Sequence, residues 1–415
     1  MPKHDYDVVI AGGGMVGASL ALCLSRYSQG KLRVLVVEQF ALQPHEGEGL
    51  PSYHPSFDAR STALSYGSQR IFDELGVWSS LAEHACPIEQ VHVSDRGHFG
   101  SVSITAAEQG WPQLGSVIEN PWLGNVLLAA LARAAGVSFC SPASLTEVIF
   151  KDDSAELGLT RDGVTESLTT ALLVIADGAE SGLRQRLGID AEVSDYQQRA
   201  FIANIATQKH HAGCAYERFT EYGALAMLPL TADENGRSRS ALVWTFADDV
   251  ADDVAALSDV AFLQRLQTDF GFRLGRLLAV GQRVSFPLRL SCATEQLRRN
   301  VVVMGNAAHS LHPVAGQGFN LALRDAASLS ELLAGALKSG EPLGSLHVLQ
   351  RYLQTQSRDQ WLTTRFSDRL TSVFGNRKPM LSLARNMGLS ALDILTPAKA
   401  QFVAQTAGMA SGQRG

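Results

Sequence analysis

The sequence predicts an α/β fold in which a parallel-sheet domain is interleaved with an antiparallel-sheet domain and followed by a helical region. The first observation is a β-α-β unit: a β-branched apolar run at 7–11, helical spacing of apolar residues over 15–26, and a second apolar run at 34–37. The second is a change of pattern at 201–246, where short strand-like runs are separated by turn residues. The third is a mostly helical pattern from about 345 to 407.

The parallel-sheet domain is predicted to be discontinuous. Buried-strand patterns return at 172–176 and 301–304, on either side of the antiparallel segment. Helices are predicted from about Leu64 to Leu75 and from about Asn320 to Leu337. The domains are assigned as follows: 1–75, 110–185 and 295–345 to the parallel-sheet domain, 76–109 and 186–294 to the antiparallel-sheet domain, and 346–415 to the helical C-terminal region.

Composition and charge exclude several classes of protein. The 415 residues are 46% hydrophobic and 18% charged, with a formal net charge of −6 and dispersed Lys and Arg, so nucleic-acid binding is not expected. Five cysteines, far apart and without a CxxC pair, predict neither a disulfide framework nor a thiolate metal site. The N-terminus lacks a signal-peptide pattern and no run of 18 apolar residues exists, so we expect a cytoplasmic protein, at most peripheral to a membrane.

A dinucleotide-binding fingerprint lies in the first β-α-β unit. Gly12-x-Gly14-x-x-Gly17 stands between the strand and the helix, and Glu38 follows at the end of the second strand. Gly12 permits a tight turn, Gly14 lets the backbone approach a pyrophosphate, and Gly17 lets helix and strand pack closely. Glu38 would accept hydrogen bonds from ribose hydroxyls and disfavour a 2′-phosphate, which predicts FAD or NAD as the bound dinucleotide.

Two later segments favour FAD over NAD. Asp177-Gly178 begins the first, and the second, 305–320, contains Gly316 and Gly318 at the start of a predicted helix; both follow buried strands. With the GxGxxG element, their order and spacing resemble the aromatic-hydroxylase group of flavoprotein monooxygenases over nearly the whole chain. The resemblance implies a Rossmann-like FAD-binding domain with a substrate domain folded over the flavin ring.

The resemblance also implies which residues form the cofactor site, although no catalytic residue is identified. The residues implied are Gly12, Gly14, Gly17 and Glu38 at the ADP half of FAD, Arg60 at the flavin or its phosphates, Asn125 near the cofactor, Asp177 at FAD and the reduced nicotinamide, and Gly316, Gly318 and Asn320 at the isoalloxazine. From the residues alone, Arg60 could equally be a surface charge. Asp177 could cap a turn, and Asn125 could cap a helix.

Position 306 departs from the family pattern. Asn306 stands where the family usually has the Asp that contacts the ribityl chain; its carbonyl can accept a hydrogen bond but carries no charge. The run Gly-Asn-Ala-Ala at this place resembles the ubiquinone-biosynthesis hydroxylases within the family. Segments 91–98, 217–220 and 226–229 resemble them as well.

The resemblance implies hydroxylation of a prenylated methoxyphenol by O₂, with NAD(P)H as a transient reductant and a flavin hydroperoxide as the oxygen donor. Subunits of a quinone-biosynthesis complex are implied as possible partners. Two alternatives stay open: a flavin-dependent dehydrogenase or reductase acting on an isoprenoid, and a non-catalytic subunit of a quinone-synthesis complex. An NAD-dependent dehydrogenase would leave the segments at 177 and 305 without a role.

Several other features have plain structural interpretations. His309 and His312 have the spacing of a ligand pair but lack further ligands, so no metal is expected. His210 and His211 are expected to be a solvated pair. The apolar positions over 379–407 predict a helix that packs on the core, or else docks on a partner or a membrane surface.

Overall fold

The computed structural model describes residues 4–42, 60–96, 101–311, 317–374 and 407. Its strands form three sheets. In chain order the strands are β1 Tyr6–Ala11, β2 Val34–Val37, β3 Ser61–Ser65, β4 Ala85–Ile88, β5 Gln90–Asp95, β6 Ser101–Thr105, β7 Gly115–Glu119, β8 Val137–Cys140, β9 Ser144–Phe150, β10 Ala155–Arg161, β11 Val164–Ile175, β12 Ala191–Thr207, β13 Cys214–Phe219, β14 Ala224–Leu230, β15 Arg239–Ala247, β16 Leu277–Val280, β17 Val284–Ala293, β18 Leu297–Arg298, β19 Val301–Val303 and β20 His309–Ser310.

The helices lie mainly between the strands of the first sheet and after the second. They are α1 Met15–Ser28, α2 Tyr66–Glu74, α3 Trp78–Ala82, α4 Ala106–Gln109, α5 Asn120–Leu131, α6 Gly182–Arg186, α7 Asp248–Ala255, α8 Asp259–Phe270, α9 Gln317–Ser339 and α10 Leu346–Phe374, with a 3₁₀ turn at Gly305–Ala307. The long α10 confirms the helical region after 345 as far as Phe374. The predicted helix at 379–407 lies outside the described residues except for Ala407, which is buried and accepts a hydrogen bond from the Gly67 N–H at 3.0 Å.

The first sheet has a parallel centre, in the order β19-β11-β1-β2-β8. Because β-branched residues fill β1 and β2, both faces of these strands can be buried. One face packs against α1, α5 and α9 through leucines such as Leu24, Leu127 and Leu329. The other face packs against β9, β10 and the start of β11 through Leu157 and Leu168. This confirms the predicted Rossmann-like layer.

The second sheet has nine strands and is antiparallel apart from the parallel pair β5–β13. The segments predicted as strands in the middle of the chain are neighbours in it, as β12, β15 and β14. Alternate residues, including Phe201, Leu242 and Trp244, point to one face and are buried under α7 and α8. The interleaved sheet of the predicted fold class is therefore confirmed; the domain boundaries themselves stay a prediction.

A small sheet, β3-β7-β4, joins the two larger sheets. Ile88 and Val117 of this sheet pack on Ala215, Leu230 and Ala241 of the nine-stranded sheet. A polar link runs beside this apolar contact. Arg239 and Asn204 of the nine-stranded sheet both donate hydrogen bonds to the Glu119 carboxylate, at 3.0 and 3.2 Å.

The helix predicted from about Leu64 to Leu75 is confirmed with a later start, and the prediction for the histidine pair was wrong at His211. The helix expected from Leu64 begins at Tyr66, because Leu64 and Ser65 pair with β7 as part of β3. His210 and His211 were both expected to be solvated, but only His210 is exposed. His211 is buried, and its Nε2 lies 2.9 Å from the Leu230 carbonyl oxygen, since the chain turns inward there to start β13.

Candidate functional site

The glycine turn after β1 lies against the end of β11. Gly12 has φ +103°, and a Cβ at this position would overlap the carbonyl oxygen of Ala176, immediately before Asp177. Gly17 is helical, and a Cβ there would overlap the carbonyl oxygen of Gly12. The GxGxxG turn therefore brings α1 onto the ends of two parallel strands.

The N-terminus of α1 suits an anionic ligand. Gly14 is its N-cap residue, no side chain caps the first turn, and no acidic residue stands in that turn. Uncapped N–H groups and the helix dipole favour a phosphate at this end. Glu38, buried at the end of β2, lies beside the same turn and accepts a hydrogen bond from the Gly13 N–H at 2.7 Å.

Asp177 follows directly after β11 and is partly buried. Burial raises the pKa of its carboxyl above the usual value, while a hydrogen bond to Ser181 and the charge of Arg184 act in the opposite direction. Its Oδ1 is buried and has no partner among the described residues. An unpaired buried carboxylate oxygen is costly unless a ligand donates to it. The carboxyl also accepts hydrogen bonds from the Ser181 side chain and the Leu183 backbone, so Asp177 caps this turn, and a binding role for its Oδ1 stays a prediction.

The segment after β19 meets the same glycine turn. Gly305 has φ +63°, and a Cβ there would lie 3.0 Å from the side chain of Val16 in α1. The next residue, Asn306, is exposed. Arg184 donates to the carbonyl oxygen of Ala307 at 2.6 Å, which ties the segment after β11 to the segment after β19.

His309 continues this segment into the nine-stranded sheet, where it pairs with Cys292 of β17. Burial lowers the pKa of His309 to about 4, so the imidazole is neutral near pH 7. Its Nε2 lies 3.0 Å from the Gln296 amide nitrogen. His312 lies outside the described residues. Among the residues that the structure describes, no group of three or more His, Cys, Asp or Glu side chains could hold a metal ion.

The beginning of α9 holds two of the predicted site residues. Gly318 is partly exposed in the first turn; Gly316 lies outside the described residues. The buried Asn320 amide holds β3 and α2: its Oδ1 accepts from the Ser65 N–H at 2.8 Å and the Ser68 hydroxyl at 2.6 Å. Its Nδ2 donates to the Ala63 carbonyl oxygen at 2.8 Å. These contacts assign a structural role to the side chain, and a contact with the isoalloxazine stays a prediction.

Arg60 contacts the nine-stranded sheet, whereas Asn125 belongs to α5 of the cofactor domain. The Arg60 guanidinium carbon is 4.9 Å from the centroid of the Phe286 ring in β17, a cation–π contact. Asn125 lies in the middle of α5, whose N-cap is Glu119, so the helix-cap alternative for Asn125 is wrong. Its Oδ1 is buried without a partner in the described part of the chain.

One feature was not found from the sequence: Glu217 of β13 lies on the sheet face opposite α7 and α8. The alternation in Ala215-Tyr216-Glu217-Arg218-Phe219 was the available signal, because residues two apart share a face. Tyr216 packs into the core under α8, which assigns Glu217 to the other face.

The residues present fit an extended dinucleotide. The turns at Gly12, Asp177 and Gly305 meet at one end of α1, which offers uncapped N–H groups. The buried Oδ1 atoms of Asp177 and Asn125, which have no described partners, can accept hydrogen bonds from a ligand. FAD, with a pyrophosphate, a ribityl chain and a ring, would be held by these groups.

Comparisons with known proteins place this chain among FAD-binding proteins. The FAD binding domain family matches residues 5–367. The chain is 32% identical over 402 residues to ubiquinone hydroxylase UbiL of Rhodospirillum rubrum, covering 97% of this chain and 89% of the relative. It is 31% identical over 396 residues to 3-demethoxyubiquinol 3-hydroxylase of Escherichia coli, covering 95% and 96%.

The fold also matches a solved structure of a flavoprotein. p-Nitrophenol 4-monooxygenase PnpA of Pseudomonas putida DLL-E4 superposes with a TM-score of 0.77 at 19% identity, covering 99% of both chains. At that identity the likeness shows the fold alone. The family match spans most of the chain and includes each turn described above. The chain therefore belongs to the FAD binding domain family of flavoproteins.

Proposed function

We propose that this chain is an FAD-dependent monooxygenase that hydroxylates the ring of a prenylated methoxyphenol, such as 2-octaprenyl-6-methoxyphenol, in ubiquinone biosynthesis. The observation that carries the proposal is the junction of the cofactor turns with an apolar sheet face. The segment from Gly305 runs directly into β20, which pairs with β17 of the nine-stranded sheet. The names of the relatives, a ubiquinone hydroxylase and a demethoxyubiquinol hydroxylase, support a ring hydroxylation of this class.

The cofactor and the protein make different contributions to the proposed reaction. When bound, FAD supplies the chemistry that activates O₂ for transfer to the ring. The protein binds the cofactor at the turns, orients the phenol and keeps water away from the reacting atoms. The sequence holds a single GxGxxG unit, so no separate nicotinamide-binding domain is expected. NAD(P)H is therefore proposed to bind transiently as a co-substrate. Contacts with a quinone-biosynthesis complex or a membrane surface stay predictions; no helix of the described residues is long and apolar enough to cross a membrane.

The test uses purified protein loaded with FAD, a short-chain prenylated methoxyphenol, NADPH or NADH, and ¹⁸O₂. The proposal predicts one labelled oxygen atom in the ring product for each nicotinamide oxidised. A dehydrogenated product without label would favour a flavin-dependent dehydrogenase. Protein that neither binds FAD nor is stabilised by it would favour a non-catalytic subunit. Deletion of the gene should cause a prenylated methoxyphenol to accumulate in the cells.

A further inference from the structure

A continuous row of side chains crosses the nine-stranded sheet on the face opposite α7 and α8. Its members are direct partners in the strand registers, so their side chains share one face. From β5 to β17 the row consists of Val93, Glu217, Ala226, Val243, Ile202 and Val284. All six are partly exposed, whereas the residues behind them, such as Met227 and Leu242, are fully buried.

The row faces the cofactor domain. On one side of it, the neighbouring row is covered by Val117 of the small sheet. On the other side, the next row ends at Phe286, the ring under the Arg60 guanidinium. Arg60 and Val117 both come from segments assigned to the domain that carries the FAD-binding elements. Among the described residues this row is partly exposed, and it lies between the cofactor domain and the nine-stranded sheet.

Glu217 is the polar member of this row, and its neighbours there, Val93 and Ala226, are apolar. No described residue forms a hydrogen bond or an ion pair with its carboxyl. Arg218, next to it in sequence, points to the other face and donates to the Asp269 carbonyl oxygen at 2.9 Å. Burial is the cause that raises the pKa of Glu217, and no nearby charge opposes it. A partly exposed carboxyl in an apolar row without a described partner points to a role toward a ligand that donates a hydrogen bond.

We propose that the Glu217 carboxyl accepts a hydrogen bond from the ring hydroxyl of the phenolic substrate. The inference rests on the proposed function and adds the residue that orients the phenol. A phenol that leaves water needs an acceptor for its O–H, and a carboxyl group keeps an acceptor oxygen whether or not it is protonated. The valine, alanine and isoleucine side chains of the row offer apolar contact to the ring and the start of its prenyl chain.

The experiment compares two ligands on FAD-loaded protein: a short-chain prenylated methoxyphenol and its O-methyl ether, which lacks the O–H donor. Dissociation constants are measured by calorimetry and by the change in flavin absorbance. The unmodified protein should bind the phenol at least about 10-fold more tightly than the ether, because the ether leaves the carboxyl unpaired. Glu217→Leu should remove that preference and bind the ether at least as tightly as the unmodified protein does.

Two further variants make the result specific. Glu217→Gln keeps an acceptor oxygen without the charge and should retain part of the preference; it also serves if Glu217→Leu does not fold. Glu192→Gln changes an exposed glutamate on β12 of the same sheet and should bind both ligands as the unmodified protein does. Melting temperature and FAD content control for folding.

The outcomes separate the two proposals. If the unmodified protein binds the phenol but Glu217→Leu and Glu217→Gln keep its full preference for the phenol over the ether, the role of Glu217 is wrong and the proposed function stands. If the unmodified protein binds neither ligand, the proposed function fails and the role of Glu217 fails with it.

Discussion

Glu38 and Gly13 are joined by a hydrogen bond of 2.7 Å, in which the Gly13 N–H donates to the buried Glu38 carboxylate. A Cβ at Gly13 would lie 2.9 Å from the Glu38 Cβ, so the turn and the acid are in direct contact. The other carboxylate oxygen accepts from the Phe40 N–H at 2.9 Å. These bonds fix the orientation of the carboxylate at the end of β2, where the ribose hydroxyls of a dinucleotide would bind.

Replacing Glu38 should weaken FAD binding more than it weakens the fold. In Glu38→Gln the charge is lost and an amide N–H₂ replaces one acceptor, so the dissociation constant of FAD should rise about 10- to 100-fold. Quenching of FAD fluorescence on titration measures this constant. Glu83→Gln is the control, because Glu83 is an exposed glutamate at the C-cap of α3. Unchanged FAD affinity in Glu38→Gln would contradict the assigned ribose contact.

Gly17→Ala should destabilise the protein because helix α1 and the glycine turn are too close for a methyl group. The added Cβ would overlap the Gly12 carbonyl oxygen, so backbone must move, at a cost of about 2 kcal/mol or more in the free energy of unfolding. Gly182→Ala is the matched control, since a Cβ there meets no atom within 4 Å. Denaturant unfolding of both variants checks the difference, and equal midpoints would rule out the close approach.

Asn320→Ala should lower stability with and without FAD. The amide joins β3, α2 and α9, and its loss leaves the Ser65 N–H and the Ala63 carbonyl without these partners. We expect a loss of about 2–3 kcal/mol in the free energy of unfolding. Urea unfolding of apoprotein is the decisive measurement. A variant of normal stability that has lost only its affinity for FAD would show that the side chain serves the flavin instead.

Asp325 should make stability fall as the pH rises. It is buried in α9, and burial raises its pKa from 3.8 to about 7 in spite of a hydrogen bond from Gln360. Between about pH 4 and pH 7 the folded state keeps a proton that the unfolded chain releases. Folding therefore loses stability through that window, by about 1.4 kcal/mol for each pKa unit at most.

Asp325→Asn removes this titration. Its melting temperature should depend less on pH between 4.5 and 8, and at pH 8 it should exceed that of the unmodified protein. Asp253→Asn, at an exposed position in α7, should leave the pH dependence as it was. The same slope of stability against pH in Asp325→Asn would contradict a raised pKa for Asp325.

The cofactor domain was the part of the fold that the sequence predicted best. Gly12 and Gly17 could be assigned from sequence because their constraints are local. Gly12 has a positive φ, and Gly17 lies where helix and strand are too close for a side chain. Periodicity also predicted β1, α1 and β2, since burial on both faces leaves an uninterrupted apolar run. The helix predicted from about Leu64 begins at Tyr66, because strand pairing with β7, a contact distant in sequence, extends β3 to Ser65.

By itself, the sequence determined the glycine turns, the acid after β2 and the elements of the first β-α-β unit, because each depends on the conformation of a few consecutive residues. The tertiary structure alone decided which side chains meet. It paired β5 with β13, turned the Asn320 amide toward β3, and set Glu217 in an apolar row that faces the cofactor domain. The physical reason is that strand register and sheet face are fixed by contacts between residues far apart in the chain.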